Sequence, residues 1–117
     1  MEEKISFSDA IIAVCAVNAT LKTDGVFEMA GGVYDALSKN LLGIESVARG
    51  TKVSRSGDET KVDISIIADY GCNIPSMAWD IQENVRNEIR EMTNIDVSAV
   101  NIYVQGVKMP GQEEETN

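Results

Sequence analysis

The chain contains no histidine and only two cysteines, Cys15 and Cys72. Without an imidazole, the Ser–His–Asp and Cys–His arrangements that need a base poised near neutral pH are excluded. Transition-metal sites, which lean on His and Cys ligands, are disfavoured for the same reason. Aromatics make up only 5% of the chain, so aliphatic side chains must build the core. The longest apolar run, residues 10–17, falls far short of the roughly 20 residues that a membrane span needs. No cationic segment followed by an apolar stretch opens the chain, so no signal peptide is expected. Any membrane association is expected to go through a partner.

What is present fits one globular domain. A chain of 117 residues supports a single core that needs neither disulfide nor metal. Its hydrophobic fraction of 44% and charged fraction of 25% are ordinary for such a domain. The net charge is −9, from 19 acidic and 10 basic residues. Bare nucleic acid and anionic lipid are repelled by that balance, whereas a cationic patch on a protein is attracted. The two cysteines lie far apart, one in a predicted helix and one in a turn. Both are expected to be reduced, with a cytoplasmic location.

Hydropathy patterning predicts the elements in turn. Residues 1–7 alternate as a short strand. Ser8 reads as a helix N-cap, with Asp9 in the first turn and Phe7 and Ile12 as a hydrophobic staple. A helix is predicted over 9–22. Ala10, Ala13, Ala16 and Ala19 recur along it, and so many other positions are apolar that it should be central. Asp24-Gly25 breaks it, a short extended segment covers 26–29, and Ala30-Gly31-Gly32 is a turn. A short amphipathic helix is predicted over 33–42 and strands over 46–54 and 60–69, with Ser56-Gly57-Asp58 as hairpin chemistry. A long helix over 74–93 tolerates Pro75 in its first turn and stops at Asn94. A last strand covers 98–107. The predicted order is β-α-(β)-α-β-β-α-β: an α+β domain over residues 1–109, with a mixed sheet and helices mainly on one face. Residues 110–117 are expected to be a disordered acidic tail.

In the long helix, Ile74, Met77, Ala78, Ile81, Val85, Ile89 and Met92 share one stripe, the expected core face. Trp79 points nearly opposite to Ile81 at about 100° per residue. Gln82, Glu83, Arg86 and Arg90 are its neighbours on that outer surface. Trp and Arg are enriched in interface hot spots, so these five form the candidate interaction surface. The bland reading is an indole lying on neighbouring alkyl stems. Glu88 falls on the apolar stripe, which hints at a less buried turn or a contact with another chain.

Chemistry-bearing groups are sparse. Asp63 and Asp69 share one strand face, but no cleft is signalled for a carboxylate pair. Gly31-Gly32 precedes a helix yet lacks both glycine-rich phosphate patterns. Cys72 has no histidine or second cysteine nearby to activate it. Lys52, Arg55 and Lys61 are balanced by Asp58, Glu59 and Asp63. No catalytic residue, cofactor or metal is expected.

Several pieces in order resemble the alkaline shock protein family of mostly Gram-positive envelope-stress proteins. They are Ile5-Ser6 with Ile11-Ile12, Gly25-Val26, Ala30-Gly31-Gly32, the run from Val62 to Gly71, and Ile74-Pro75. Ile81-Gln82 with Val85-Arg86, Met92-Thr93 and the run from Val100 to Val107 complete the match. The resemblance implies a small α+β domain without known catalysis, tied to envelope homeostasis and stress. It implies a non-enzymatic adaptor or scaffold whose partner is a membrane-anchor protein or the chain itself, as a homo-oligomer. A second reading is a small-molecule sensor or regulator of fatty-acid metabolism, such as an acetyl-CoA carboxylase modulator, with its site near Gly31-Gly32 and the hairpin.

Overall fold

A computed structural model describes residues 3–31 and 49–111. In chain order these form helix α1 (Asp9–Leu21), strands β1 (Val26–Met29), β2 (Thr51–Ser56) and β3 (Glu59–Asp69), helix α2 (Ile74–Thr93) and strand β4 (Ala99–Lys108). The predicted helix over 33–42, the start of the strand predicted over 46–54 and most of the acidic tail lie outside the described residues.

β3 organises the sheet. β1 and β2 lie end to end along one of its edges, both antiparallel, and β4 runs parallel along the other. The expected mixed sheet is therefore present. The join between β1 and β2 falls at Ser65, whose carbonyl accepts from Ala30 N (2.9 Å) and whose N–H donates to Gly50 O (2.8 Å). Gly50 has φ +73°, and a Cβ there would lie 2.8 Å from Ala30 O. Only glycine fits where two chain segments share one residue of β3. The β2–β3 hairpin turns at Gly57, with φ +59°, as its glycine predicts.

Alternation along β3 puts Val62, Ile64, Ile66 and Ala68 on one face, all fully buried. They share one core with Ile12, Cys15, Ala16 and Ala19 of α1 and with Met77, Ile81, Val85 and Ile89 of α2. Both helices thus cover the same face. α2 matches its predicted bounds. Asn73 caps it by accepting from Ser76 N (2.9 Å), and Asn94 ends it in a left-handed conformation, φ 63°.

Several expectations need correction. Residues 3–8 form no strand in the sheet. They are held instead by Arg55, which donates to Phe7 O (3.1 Å) and pairs with Asp9 (3.3 Å). Ser8 is extended, as an N-cap must be, but its hydroxyl makes no cap bond. Its carbonyl accepts from Ile11 N. α1 is not enclosed on all sides: Ile11, Val14 and Leu21 stay exposed while Ile12, Ala13, Cys15, Ala16 and Ala19 are buried. Apolar content alone hid this sidedness. On α2 the apolar stripe loses its two ends, since Ile74 and Met92 are exposed, beyond the reach of α1 and the sheet.

The seam between the helices is polar at its rim. Glu88 accepts from Asn18 (2.6 Å) and pairs with Lys22 at 3.9 Å, while Asn84 donates to Thr23 Oγ1 (2.9 Å). The odd position of Glu88 on the stripe is thus explained by partners on α1 and at its C-terminal end. Both thiols are free. Burial first, and then the charge of Glu88, push the Cys15 thiol above its ordinary value.

Two outcomes follow from this packing. Ile81→Ala should lower stability by about 2–5 kcal/mol, read as a shift in the denaturant midpoint with unchanged slope; an unchanged midpoint would contradict the core described. The folded state holds Cys15 protonated more strongly than the unfolded state does. Its contribution is therefore intact below the ordinary thiol range and is lost as pH rises through that range and beyond. Stability measured against pH should fall on that alkaline side, and Cys15→Ala should flatten the fall; an identical slope in the variant would count against it.

Candidate interaction surface

α2 turns its buried stripe down onto the sheet, so Trp79 emerges on the other side, 48% exposed. At about 100° per residue, Gln82, Glu83, Arg86 and Arg90 project within roughly 60° of Trp79. The structure therefore brings the five predicted surface residues onto one side of the helix. They are not equally free. Arg86 pairs with Glu83 at 3.9 Å, and Arg90 Nε donates to Asp96 Oδ1 at 2.7 Å, tethering the loop that follows α2. Gln82 turns towards β4, where Nε2 donates to Val100 O (3.0 Å).

That bond locates the helix flank. α2 precedes β4 and crosses back over the sheet, so Trp79 stands one turn before Gln82 on the flank that borders β4. β4 pairs with β3 alone among the described residues, so its other edge has no strand partner among them.

The register identifies which backbone groups face outward. Ser65 directs its N–H and C=O to the β1–β2 side, and so do its alternates along β3. The even-numbered residues of β3 therefore serve β4, as Ser98 N donating to Thr60 O (2.8 Å) illustrates. In a parallel pair each such residue bonds the two neighbours of its partner. Val62, Ile64 and Ile66 are opposite Val100, Ile102 and Val104. Their bonds go to residues 99, 101, 103 and 105, which leaves Val100, Ile102 and Val104 with N–H and C=O directed away from β3. Gln82 takes the outward carbonyl of Val100. At the other end the register shifts between Ile66 and Ile67, which skips Gln105. Between these two limits, Ile102 and Val104 have no strand partner on that side among the described residues, and Tyr103 is 49% exposed.

Sequence reasoning found the helix side of this surface and missed the strand side. The signal was available: no charged residue occurs from 97 to 107 in a chain of net charge −9. Natural edge strands more often carry lysine or proline.

The other candidates separate. Asp63 and Asp69 are six residues apart on one strand, roughly 20 Å at the usual rise, too far for a carboxylate pair. Asp63 accepts from Asn101 Nδ2 (2.9 Å). Cys72 is half-buried with its sulfur 4.0 Å from that of Met77. Arg55 is occupied by Asp9 and Phe7. Open clefts among the described residues include one of about 300 Å³ beside Lys22, Asn84 and Glu88 and one of about 230 Å³ beside Asp24, Cys72 and Asp80. The site expected near Gly31-Gly32 falls partly outside the described residues, which end at Gly31 and resume at Arg49. Among the described residues no group of three His, Cys, Asp or Glu could hold a metal ion, and no helix is long and apolar enough to cross a membrane.

The model of the alkaline shock protein 23 family, with a cell envelope-related function, matches residues 1–109. The uncharacterized protein YloU of Bacillus subtilis (strain 168) is 32% identical over 108 residues, 91% of this chain and 89% of its own. YqhY of the same organism is 28% identical over 112 residues, 96% of this chain and 82% of its own. A stress response regulator gls24 homolog of Streptococcus pyogenes is 30% identical over 111 residues, 95% of this chain but 62% of its own length. A solved MamM CTD variant aligns over 86% of this chain and all of its own at 14% identity, with a TM-score of 0.49.

Because Trp79 lies outside the core, Trp79→Ala should change stability by no more than about 0.5 kcal/mol, measured by denaturant unfolding. A loss comparable to that of a core isoleucine would mean that the indole is structural.

Proposed function

The chain belongs to the alkaline shock protein 23 family, whose function is cell envelope-related, and on that premise we propose that it is a non-enzymatic adaptor in the envelope-stress response. It works by docking to other proteins, a membrane-anchor protein among them, through the α2 flank and the edge of β4 away from β3. The observation that carries this reading is the half-exposed Trp79 on the helix that crosses over to β4, a strand paired on one edge alone among the described residues.

The physical argument is additive. An indole next to a guanidinium supplies the residue types that dominate interface energetics. An open strand edge supplies main-chain hydrogen bonds to an extended partner segment. The net charge of −9 favours a partner with a cationic patch and raises its rate of encounter. The similarity to a streptococcal stress response regulator gls24 homolog supports the stress setting.

Affinity capture tests the reading. Tagged wild-type chain and a Trp79→Ala variant of verified fold are exposed to the same lysate from a Gram-positive bacterium. Loss of a hot spot worth about 2 kcal/mol or more should reduce recovery of the specific protein partners by at least about tenfold. Undiminished recovery of every partner would contradict the role given to Trp79.

A further inference from the structure

The geometry points to a binding site for Cu(I), a soft monovalent cation, held between the thiolate of Cys72 and the thioether of Met77 in the cleft at the start of α2.

Histidine and cysteine are the residues that usually betray a metal site, and the second donor here is a methionine. Cys72 lies in the turn that precedes the Asn73 cap of α2. The bond from Met77 N to Asn73 O (2.9 Å) closes the first turn of the helix and sets Met77 beside that cap. The two sulfurs come within 4.0 Å, with the Cys72 thiol donating to Met77 Sδ. A lone pair of the thioether therefore faces the thiol proton. A cation that takes the place of the proton has both sulfurs as ligands.

The separation fits a metal. Zinc–thiolate bonds are about 2.3 Å long. Two bonds of that length opened to about 120° span roughly the 4.0 Å found between these sulfurs. Gly25 keeps the pair uncrowded. With φ +100°, a Cβ there would lie 3.3 Å from Met77 Sδ and 3.4 Å from Cys72 Cβ. Both sulfur residues line the cleft of about 230 Å³, together with Asp24 and Asp80, whose carboxylates attract a cation. Met77 is held by the core and Cys72 is half-buried. A donor already fixed by packing needs no ordering when the ion arrives.

The donor types select the ion. Thiolate with thioether suits Cu(I). Zinc sites need a fuller set of His, Cys or carboxylate ligands, and among the described residues no three such groups gather. On binding, the S–H bond of Cys72 breaks, an S–Cu(I) bond forms, and the proton passes to solvent. Met77 contributes a lone pair, and neither sulfur nor copper changes oxidation state.

Anaerobic titration of the full chain with Cu(I), buffered by a Cu(I)-selective chromogenic chelator, tests the site. One Cu(I) per chain is expected, with about one proton released for each. Even a partner outside the coordination shell is worth about 10–100-fold in metal affinity, so Met77→Leu should weaken binding by at least about tenfold. Leucine replaces methionine in a core with little disturbance. Cys72→Ser should abolish binding. Cys15→Ala should leave it unchanged, because that thiol is buried in the core. Circular dichroism verifies the fold of each variant. X-ray absorption at the copper edge of the wild-type complex should show at least two sulfur ligands at about 2.3 Å, and it decides the matter if the variants unfold. A wild-type chain that binds no Cu(I) overturns the proposal. So does an affinity unchanged by Met77→Leu, binding lost in a folded Cys15→Ala, a single sulfur ligand, or one Cu(I) shared between two chains.

Discussion

Strand β3 is the constraint on which the rest of the structure depends. One of its faces is sealed by α1 and α2, and each of its edges is engaged. β1 and β2 complete one edge only because Ser65 serves both of them and Gly50 lets the chains meet. Parallel pairing on the other edge demands a crossover, and α2 is that crossover. The crossover then fixes where the outer side of α2 must lie: above the last strand, next to the border of the sheet. The exposed tryptophan and the edge of β4 that has no strand partner among the described residues therefore lie towards the same flank of the fold.

Much of this was legible in the residues. The period-2 pattern of Val62, Ile64 and Ile66 and the helical stripe of Met77, Ile81, Val85 and Ile89 identified the core because each face has a single environment. Trp79 stood out because it broke that stripe. What could not be read was sidedness without contrast. α1 is apolar nearly all round, so nothing in its pattern separated buried Ile12 and Cys15 from exposed Ile11 and Val14. Residues 3–7 alternate like a strand, yet the segment joins no strand, and Arg55 ties it down at Phe7 instead.

The candidate surface was half legible for a similar reason. A residue that departs from its local pattern is visible in sequence. An unused hydrogen-bonding edge is a property of the sheet order, which only the assembled strands reveal. Glu88 makes the complementary point. It hinted at a less buried turn or a contact with another chain, and it lies half-buried, bridging to Asn18 and Lys22 across the helix seam.

The account holds that this molecule acts by presenting the α2 flank and the β4 border to other proteins. Site-specific photocrosslinking in cells addresses that most directly, with a photoreactive residue at position 79 compared with one at position 52, on β2 at the opposite side of the sheet. Protein adducts should form at position 79 and be sparse at position 52. Equal labelling at the two positions, or no protein adduct at position 79, would contradict the account.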